Sequence, residues 1–224
     1  MYSLPNISIE SHKESLRDYR YDKEAEGLYL TYYNKYRELY PSYFNFIKEA
    51  QEKYYDRSTS DITMGADYGF YLRMTQLIID DELKHIVEYG PGFTTLLLHR
   101  IIQDLDYKVE VFSYEDNEKW FNNNTKMGVD VFGTMELVDM DIELKDDLLY
   151  CKYKHNIAKH KDVDCIIIDG PGPLKLNGKY YPSVTTNAKD YIDTFKDNNI
   201  SILIEGRHET QQFCRNLRHN NNSD

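Results

Sequence analysis

The stretch that decides the fold is His85–Leu98, HIVEYGPGFTTLLL. It reads as a short apolar strand, an acidic residue, a glycine-rich turn and an apolar helix. Ile86 and Val87 make the strand and Glu88 ends it. Gly90-Pro91-Gly92 makes the turn, and Thr94 or Thr95 can cap the helix that carries Leu96, Leu97 and Leu98. Glycines at such a bend let the backbone approach a ligand closely, because no Cβ stands in the way. The helix start offers unpaired N–H groups to a polar or anionic ligand group. An open α/β sheet holds a nucleotide-like cofactor in this way, at the carboxyl ends of its strands.

Dinucleotide binders carry G-x-G-x-x-G, in which the third glycine allows close helix–strand packing. Thr95 occupies that third position here. Glu88 stands two residues before the first glycine. This acidic-x-Gly-x-Gly arrangement resembles the first motif of the class I S-adenosylmethionine (SAM) methyltransferases. Two later segments extend the resemblance. In KVEVFSYEDN (Lys108–Asn117), Val109, Val111 and Ser113 alternate with Glu110, Phe112 and Tyr114, a strand pattern that ends at Glu115 and Asp116. Glu115 follows Gly90 by 25 positions, where an acidic strand tip can accept from both ribose hydroxyls. Negative charge would also suit the first turn of the helix that opens at Asn117.

The third segment is VDCIIIDGPGP (Val163–Pro173). Cys165 to Ile168 is a continuous apolar run, as a central parallel strand buried on both faces requires. It stops at Asp169-Gly170-Pro171, which is similar to the fourth-strand motif of the same methyltransferases. The resemblance spans residues 84–207. It implies a doubly wound, Rossmann-like α/β sheet and a site for SAM at Glu88, Gly90, Pro91, Gly92, Thr94, Thr95, Glu115, Asp116 and Asp169. It also places Asp141, after a third strand read at Met135–Met140, near an adenine ring. Members of that family commonly add an antiparallel pair of strands after the last helix. None is legible after residue 217, so the expected sheet has about five strands.

The 224 residues suffice for one well-packed domain with an extension. Residues 1–60 read as a tyrosine-rich helical extension, 61–219 as the cofactor-binding domain and 220–224 as a polar tail. In the extension, a helix over Ala25–Tyr40 puts Leu28, Tyr32 and Tyr36 on one stripe. A second runs from Ser42 to about Tyr55 with Phe44, Ile47 and Ala50 inward. Arg57–Ala66 is a polar loop whose Ser58, Thr59, Ser60 and Thr63 could reach the site, and Asp67–Ile79 is a further helix. Leu148–His155 alternates weakly, as a short strand or helix. PGPLKLNGKYYP (Pro171–Pro182) reads as a substrate loop or lid with Tyr180 and Tyr181 as contacts. Ser183–Phe195 reads as a helix and Ile200–Ile204 as the fifth strand.

A net charge of −11 disfavours a nucleic-acid substrate, which basic patches must hold. The one dense basic cluster, Lys152, Lys154, His155, Lys159, His160 and Lys161, reads as a solvated connection. No apolar run reaches the roughly 20 residues that cross a bilayer, and the start lacks the regions of a signal peptide. Cys151, Cys165 and Cys214 form neither a disulfide framework nor a metal spacing. The expectation is a cytoplasmic protein with no membrane partner, in which a sheet edge could be covered by the extension or by a second copy.

Methyl transfer to a hydroxyl requires removal of its proton. Asp169 is the first candidate base and His208, after the fifth strand, the second. Glu205 lies at the fifth strand's tip, beside the expected acceptor. Asp169 and Glu205 are hard oxygen ligands suited to magnesium or manganese, although no dense ligand motif accompanies them. The acceptor expected is a small-molecule or sugar hydroxyl. Two other functions compete: a noncatalytic SAM-fold protein binding a partner through its tyrosine-rich helices, and a NAD-dependent oxidoreductase. The missing third glycine counts against the latter.

Overall fold

The computed structural model describes residues 23–54, 68–128, 134–172, 174–196 and 198–221, with side chains from 30 to 217 within those ranges. The loop hydroxyls Ser58, Thr59, Ser60 and Thr63 and the side chain of Leu28 lie outside the described residues. Five strands form the central sheet: β1 (His85–Tyr89), β2 (Glu110–Glu115), β3 (Thr134–Leu137), β6 (Cys165–Ile168) and β10 (Ser201–Ile204). Their order is β3-β2-β1-β6-β10, and every pairing is parallel. This is the Rossmann-like α/β sheet that the glycine turn and acidic tips imply, with the chain reversing direction of growth between β1 and β6.

The strands nearest the centre are the most apolar. All residues of β1 and β6 are buried, because helices cover both faces. One core lies under α1 (Lys23–Leu39), α2 (Pro41–Tyr54), α3 (Tyr68–Asp80) and α4 (Phe93–Gln103). Tyr36, Phe44 and Ile47 pack there with Ile86 and Ile167 of the sheet, so the N-terminal helices share the core of the central sheet. Tyr36 points inward as its stripe predicts, whereas Tyr32 is 41% exposed. Pro41 opens α2, where a missing N–H costs nothing.

The opposite face carries a second core of Val87, Tyr89, Tyr114, Tyr153, Ile166, Ile168 and Tyr191. Several sequence-based boundaries change here. The segment Met135–Met140 divides: β3 ends at Leu137, and β4 (Met140–Lys145) turns away to pair antiparallel with β5 (Leu148–Tyr153). Of the segment Leu148–His155, Leu148–Tyr153 is therefore a strand. β9 (Ser183–Thr185) adds parallel to β5, so the helix expected from Ser183 begins only at Asn187, as α6 (Asn187–Thr194). The lid segment Pro171–Pro182 holds a hairpin of β7 (Leu174–Leu176) and β8 (Lys179–Tyr181). Its turn is Asn177-Gly178, both at positive φ, a two-residue hairpin turn for which Asn-Gly is the favoured pair. The last helix, α7, runs from His208 to Asn221.

The basic cluster read as a solvated connection is two structures. Lys152, Lys154, Lys159 and Lys161 are exposed, while His160 is fully buried. His160 Nδ1 stands 3.0 Å from His85 Nε2, and its Nε2 stands 2.7 Å from the Tyr114 hydroxyl. The His155 ring stacks on Tyr114 and its Nε2 stands 2.7 Å from the Tyr89 hydroxyl. Burial pushes both imidazoles down to about 4, His155 with help from Lys159 and Lys152, and His160 with help from His155 and His85. All three cysteines are buried thiols. Among the described residues no helix is long and apolar enough to cross a membrane.

Candidate functional site

The carboxyl ends of β1, β2 and β6 meet in one crevice. Gly90, at φ +81°, turns the chain out of β1. Its N–H donates to the Tyr114 carbonyl across the sheet. Gly92 precedes α4 as its N-cap, so Thr94 and Thr95 are helical residues rather than caps. Thr95 instead closes the turn from inside the helix: its hydroxyl accepts the Gly92 N–H at 2.8 Å. Asn124, from α5 (Glu118–Met127), donates its amide N–H to the Pro91 carbonyl at 2.7 Å and braces the turn from the other side.

Glu88 sits one residue inside β1, since the strand continues to Tyr89. Its carboxylate is fully buried and accepts three hydroxyls: Thr94 at 3.0 Å, Thr95 at 2.8 Å and Ser113 at 2.7 Å. Burial raises its pKa and the three donors oppose that rise. The hydroxyls of Thr94 and Thr95 thus point inward to Glu88. Together they lock the start of α4 to β1 and β2, which sets the angle of the glycine turn.

Glu115 ends β2 and is 5% exposed. Its Oε1 accepts the backbone N–H groups of Asp116 at 3.1 Å and Asn117 at 2.9 Å. Oε2 has no protein partner among the described residues. Burial, and then the neighbouring Asp116 carboxylate, push the Glu115 carboxyl up to about 8. Asp116 accepts the Tyr153 hydroxyl at 2.9 Å. Asn117 caps α5 by accepting the N–H groups of Lys119 and Trp120.

Asp169 follows the last residue of β6 and precedes Gly170. Burial drives its carboxyl well above the usual range, the Glu205 carboxylate adds to the rise, and the Arg207 guanidinium opposes it. Arg207 donates to the Asp169 backbone carbonyl and lies 3.4 Å from its Oδ1. The Tyr71 side chain of α3 is fully buried with Gln51 beside its hydroxyl, and burial, then Asp169, Tyr68 and Glu205 raise its pKa. The geometry therefore gathers Asp169, Glu205, Arg207 and Tyr71 on one side and Glu115, Asp116 and Tyr153 on the other, with Gly90 between them against Gly170.

Four further predicted residues sit away from these. Asp141 lies within β4, not at a strand tip, and is exposed with Lys154 Nζ at 2.9 Å. The early end of β3 moved the corner away from it. His208 is exposed at the first position of α7. Tyr180 and Tyr181 are half-buried in β8, with Lys179 over the Tyr181 ring. Tyr71, Asn124, Tyr153 and Arg207 were not read as site residues. Each arrives from an element whose packing on the crevice leaves no local pattern in the chain.

No family model and no curated protein matches this chain. Solved structures do. Over 80% of this chain and 69% of the other, the structure is similar to a Staphylococcus aureus protein described as a caffeoyl-CoA O-methyltransferase, at 15% identity and a TM-score of 0.43. It is similar to the SAH-bound Podospora anserina methyltransferase PaMTH1 over 73% and 61% of the two chains, at 16% identity and a TM-score of 0.38. The N-terminal domain of human METTL16 in complex with SAH matches over 94% and 89%, at 9% identity and a TM-score of 0.40.

Two features of the crevice suit a polar, hydroxyl-bearing ligand. A buried carboxylate with one oxygen held by backbone and the other unpartnered suits a ribose diol. The cradle at Gly92 has open space where a Cβ would stand. No group of three or more His, Cys, Asp or Glu side chains that could hold a metal occurs among the described residues.

Proposed function

We propose that the protein is a SAM-dependent methyltransferase acting on a hydroxyl of a small molecule or sugar. The observation that carries this reading is Glu115: a buried strand-tip carboxylate, held open by two backbone N–H groups, beside a glycine turn that Thr95 and Asn124 hold from both sides. Gly90, Pro91 and Gly92 would take the amino-acid part of the donor and Glu115 and Asp116 its ribose. When bound, SAM supplies a methyl group on a sulfonium that carries its own leaving group.

The chain's residues then supply alignment, exclusion of water and a base. Asp169, at the tip of a buried central strand, would accept the acceptor's hydroxyl proton on its carboxylate. Its burial and the Glu205 charge make that carboxylate a stronger base than a solvated aspartate. Arg207 would hold it in place through the backbone carbonyl and Oδ1. Glu205 and the Tyr71 hydroxyl stand beside it to meet the acceptor's polar groups, and the β7–β8 hairpin with Tyr180 and Tyr181 would shield that end from water.

Calorimetric titration with SAM and separately with NAD⁺ tests the reading. Micromolar SAM binding without NAD⁺ binding is expected, and Asp169→Asn is expected to keep SAM binding while losing turnover in an acceptor screen. A folded protein that binds no SAM would overturn it. Turnover that survives Asp169→Asn would remove Asp169 as the base.

A further inference from the structure

The inserted sheet β4-β5-β9 sends one side chain into the donor crevice. Tyr153, the last residue of β5, is 1% exposed. Asn187 clamps its backbone: Asn187 Oδ1 accepts the Tyr153 N–H at 2.9 Å, and Asn187 Nδ2 donates to the Tyr153 carbonyl at 3.0 Å. The Tyr89 ring lies against the phenol, with centroids 4.9 Å apart. So held, the hydroxyl reaches the tips of two central strands. It donates to Asp116 Oδ1 at 2.9 Å beyond β2, and a Cβ on Gly170 beyond β6 would stand 2.5 Å from it. Among the described residues Tyr153 is the one side chain that hydrogen-bonds Asp116, and the Asp116 backbone N–H also favours its charge.

We propose that Tyr153 is a positioning residue for the nucleoside half of the donor: it fixes Asp116 by one oxygen so that the other is presented to the ligand. The proposal rests on the donor-binding reading above. A phenol can only donate one proton to Asp116, and that bond favours the ionised carboxylate. A buried, doubly clamped donor gives the carboxylate one orientation, so the ordering cost of ligand binding is met during folding. Without it, Asp116 would be free to turn toward Arg207, the nearest cation acting on it.

A double-mutant cycle on SAM affinity tests this. Tyr153→Phe removes one oxygen and is expected to weaken SAM about tenfold, the worth of a hydrogen bond to a charged group. Asp116→Asn is expected to weaken it at least as much, and the double variant to bind like Asp116→Asn alone, because the phenol acts only through that carboxylate. Tyr153→Phe is also expected to move the low-pH limb of SAM binding upward. Asp116, which faces Glu115, Cys151, Arg207 and Tyr153, loses the donor that favours its charge. Asn187→Ala keeps the hydroxyl and loosens its clamp, so it should weaken SAM in the native background and not beside Asp116→Asn. Native SAM affinity in Tyr153→Phe, or losses that simply multiply in the double variant, would overturn the role of Tyr153 and leave the donor reading standing. A native protein that binds no SAM would overturn both.

Discussion

Gly90 and Gly170 meet backbone to backbone across the ends of β1 and β6. A Cβ on Gly90 would lie 2.5 Å from the Gly170 nitrogen, and one on Gly170 would lie 2.9 Å from Gly90 Cα and 2.5 Å from the Tyr153 hydroxyl. The two strand ends therefore close on each other with no side chain between them, and the crevice opens just above.

Gly170→Ala should cost about 3 kcal/mol, because neither the Gly90 backbone on one side nor the buried, clamped Tyr153 hydroxyl on the other can yield. In a chain of this size that lowers the thermal midpoint by roughly 10 °C. Gly90→Ala adds the strain of a positive φ to the same clash. Gly92→Ala is the contrast: nothing lies within 4 Å of the added carbon. It should keep the native midpoint and weaken SAM binding, since its methyl occupies the open side of the turn. Equal midpoints for Gly170→Ala and Gly92→Ala in differential scanning fluorimetry would contradict this packing.

Glu115 carries a stability cost that binding exploits. Its folded pKa of about 8 lies above the ordinary value of 4.5. The penalty is thus fully present above pH 8, shrinks as pH falls, and is gone below 4.5. Glu115→Gln should be more stable than the native protein at pH 8.5, and the gap should close toward pH 4.5. Urea midpoints for both proteins across that range check it. The same variant should bind SAM more weakly.

SAM affinity itself should depend on pH. A ribose diol needs the ionised form of Glu115, which holds its proton below about 8 in the free protein. Affinity is expected to rise from pH 6 to 8, by up to about tenfold per unit, and to level off above. Binding at pH 7 should release a proton, seen as a dependence of calorimetric heat on the buffer's ionisation enthalpy. A pH-independent affinity would mean that Glu115 is not the ribose ligand.

His160 titrates in the opposite sense. Its pKa falls from 6.5 unfolded to about 4 folded, so its neutral form stabilises the fold above pH 6.5 and that contribution is lost between 6.5 and 4. His160→Gln should cost about 1–2 kcal/mol at pH 7 through the bonds to His85 and Tyr114. Its stability should then fall less steeply than the native protein's on acidification. Parallel curves of urea midpoint against pH would remove His160 from the acid response.

Local order made much of this molecule legible. The apolar run Cys165–Ile168 can only be a strand covered on both faces, and the Gly90-Pro91-Gly92 bend can only leave a strand for a helix. Glu115 and Asp169 follow directly, since one ends an alternating strand pattern and the other an apolar run. The segment Pro171–Pro182 reads only as a loop or lid, and its hairpin about Asn177-Gly178 comes from the structure. The division of Met135–Met140 was not legible either: Met135 and Met140 are alike as residues, and only pairing with β2 or with β5 separates them. His155 and His160 look solvated among lysines, yet the imidazoles turn inward where Tyr89, Tyr114 and His85 supply partners.

What the sequence by itself determined is the sheet, its glycine turn and its acidic tips, because alternation, apolar runs and glycine act over a few residues. Only the tertiary structure decided the second layer of the site. Tyr71, Asn124, Tyr153 and Arg207 reach the crevice from elements far apart in the chain. A hydrogen bond such as that from Tyr153 to Asp116, 37 residues away, depends on how two sheets pack and leaves no periodic trace.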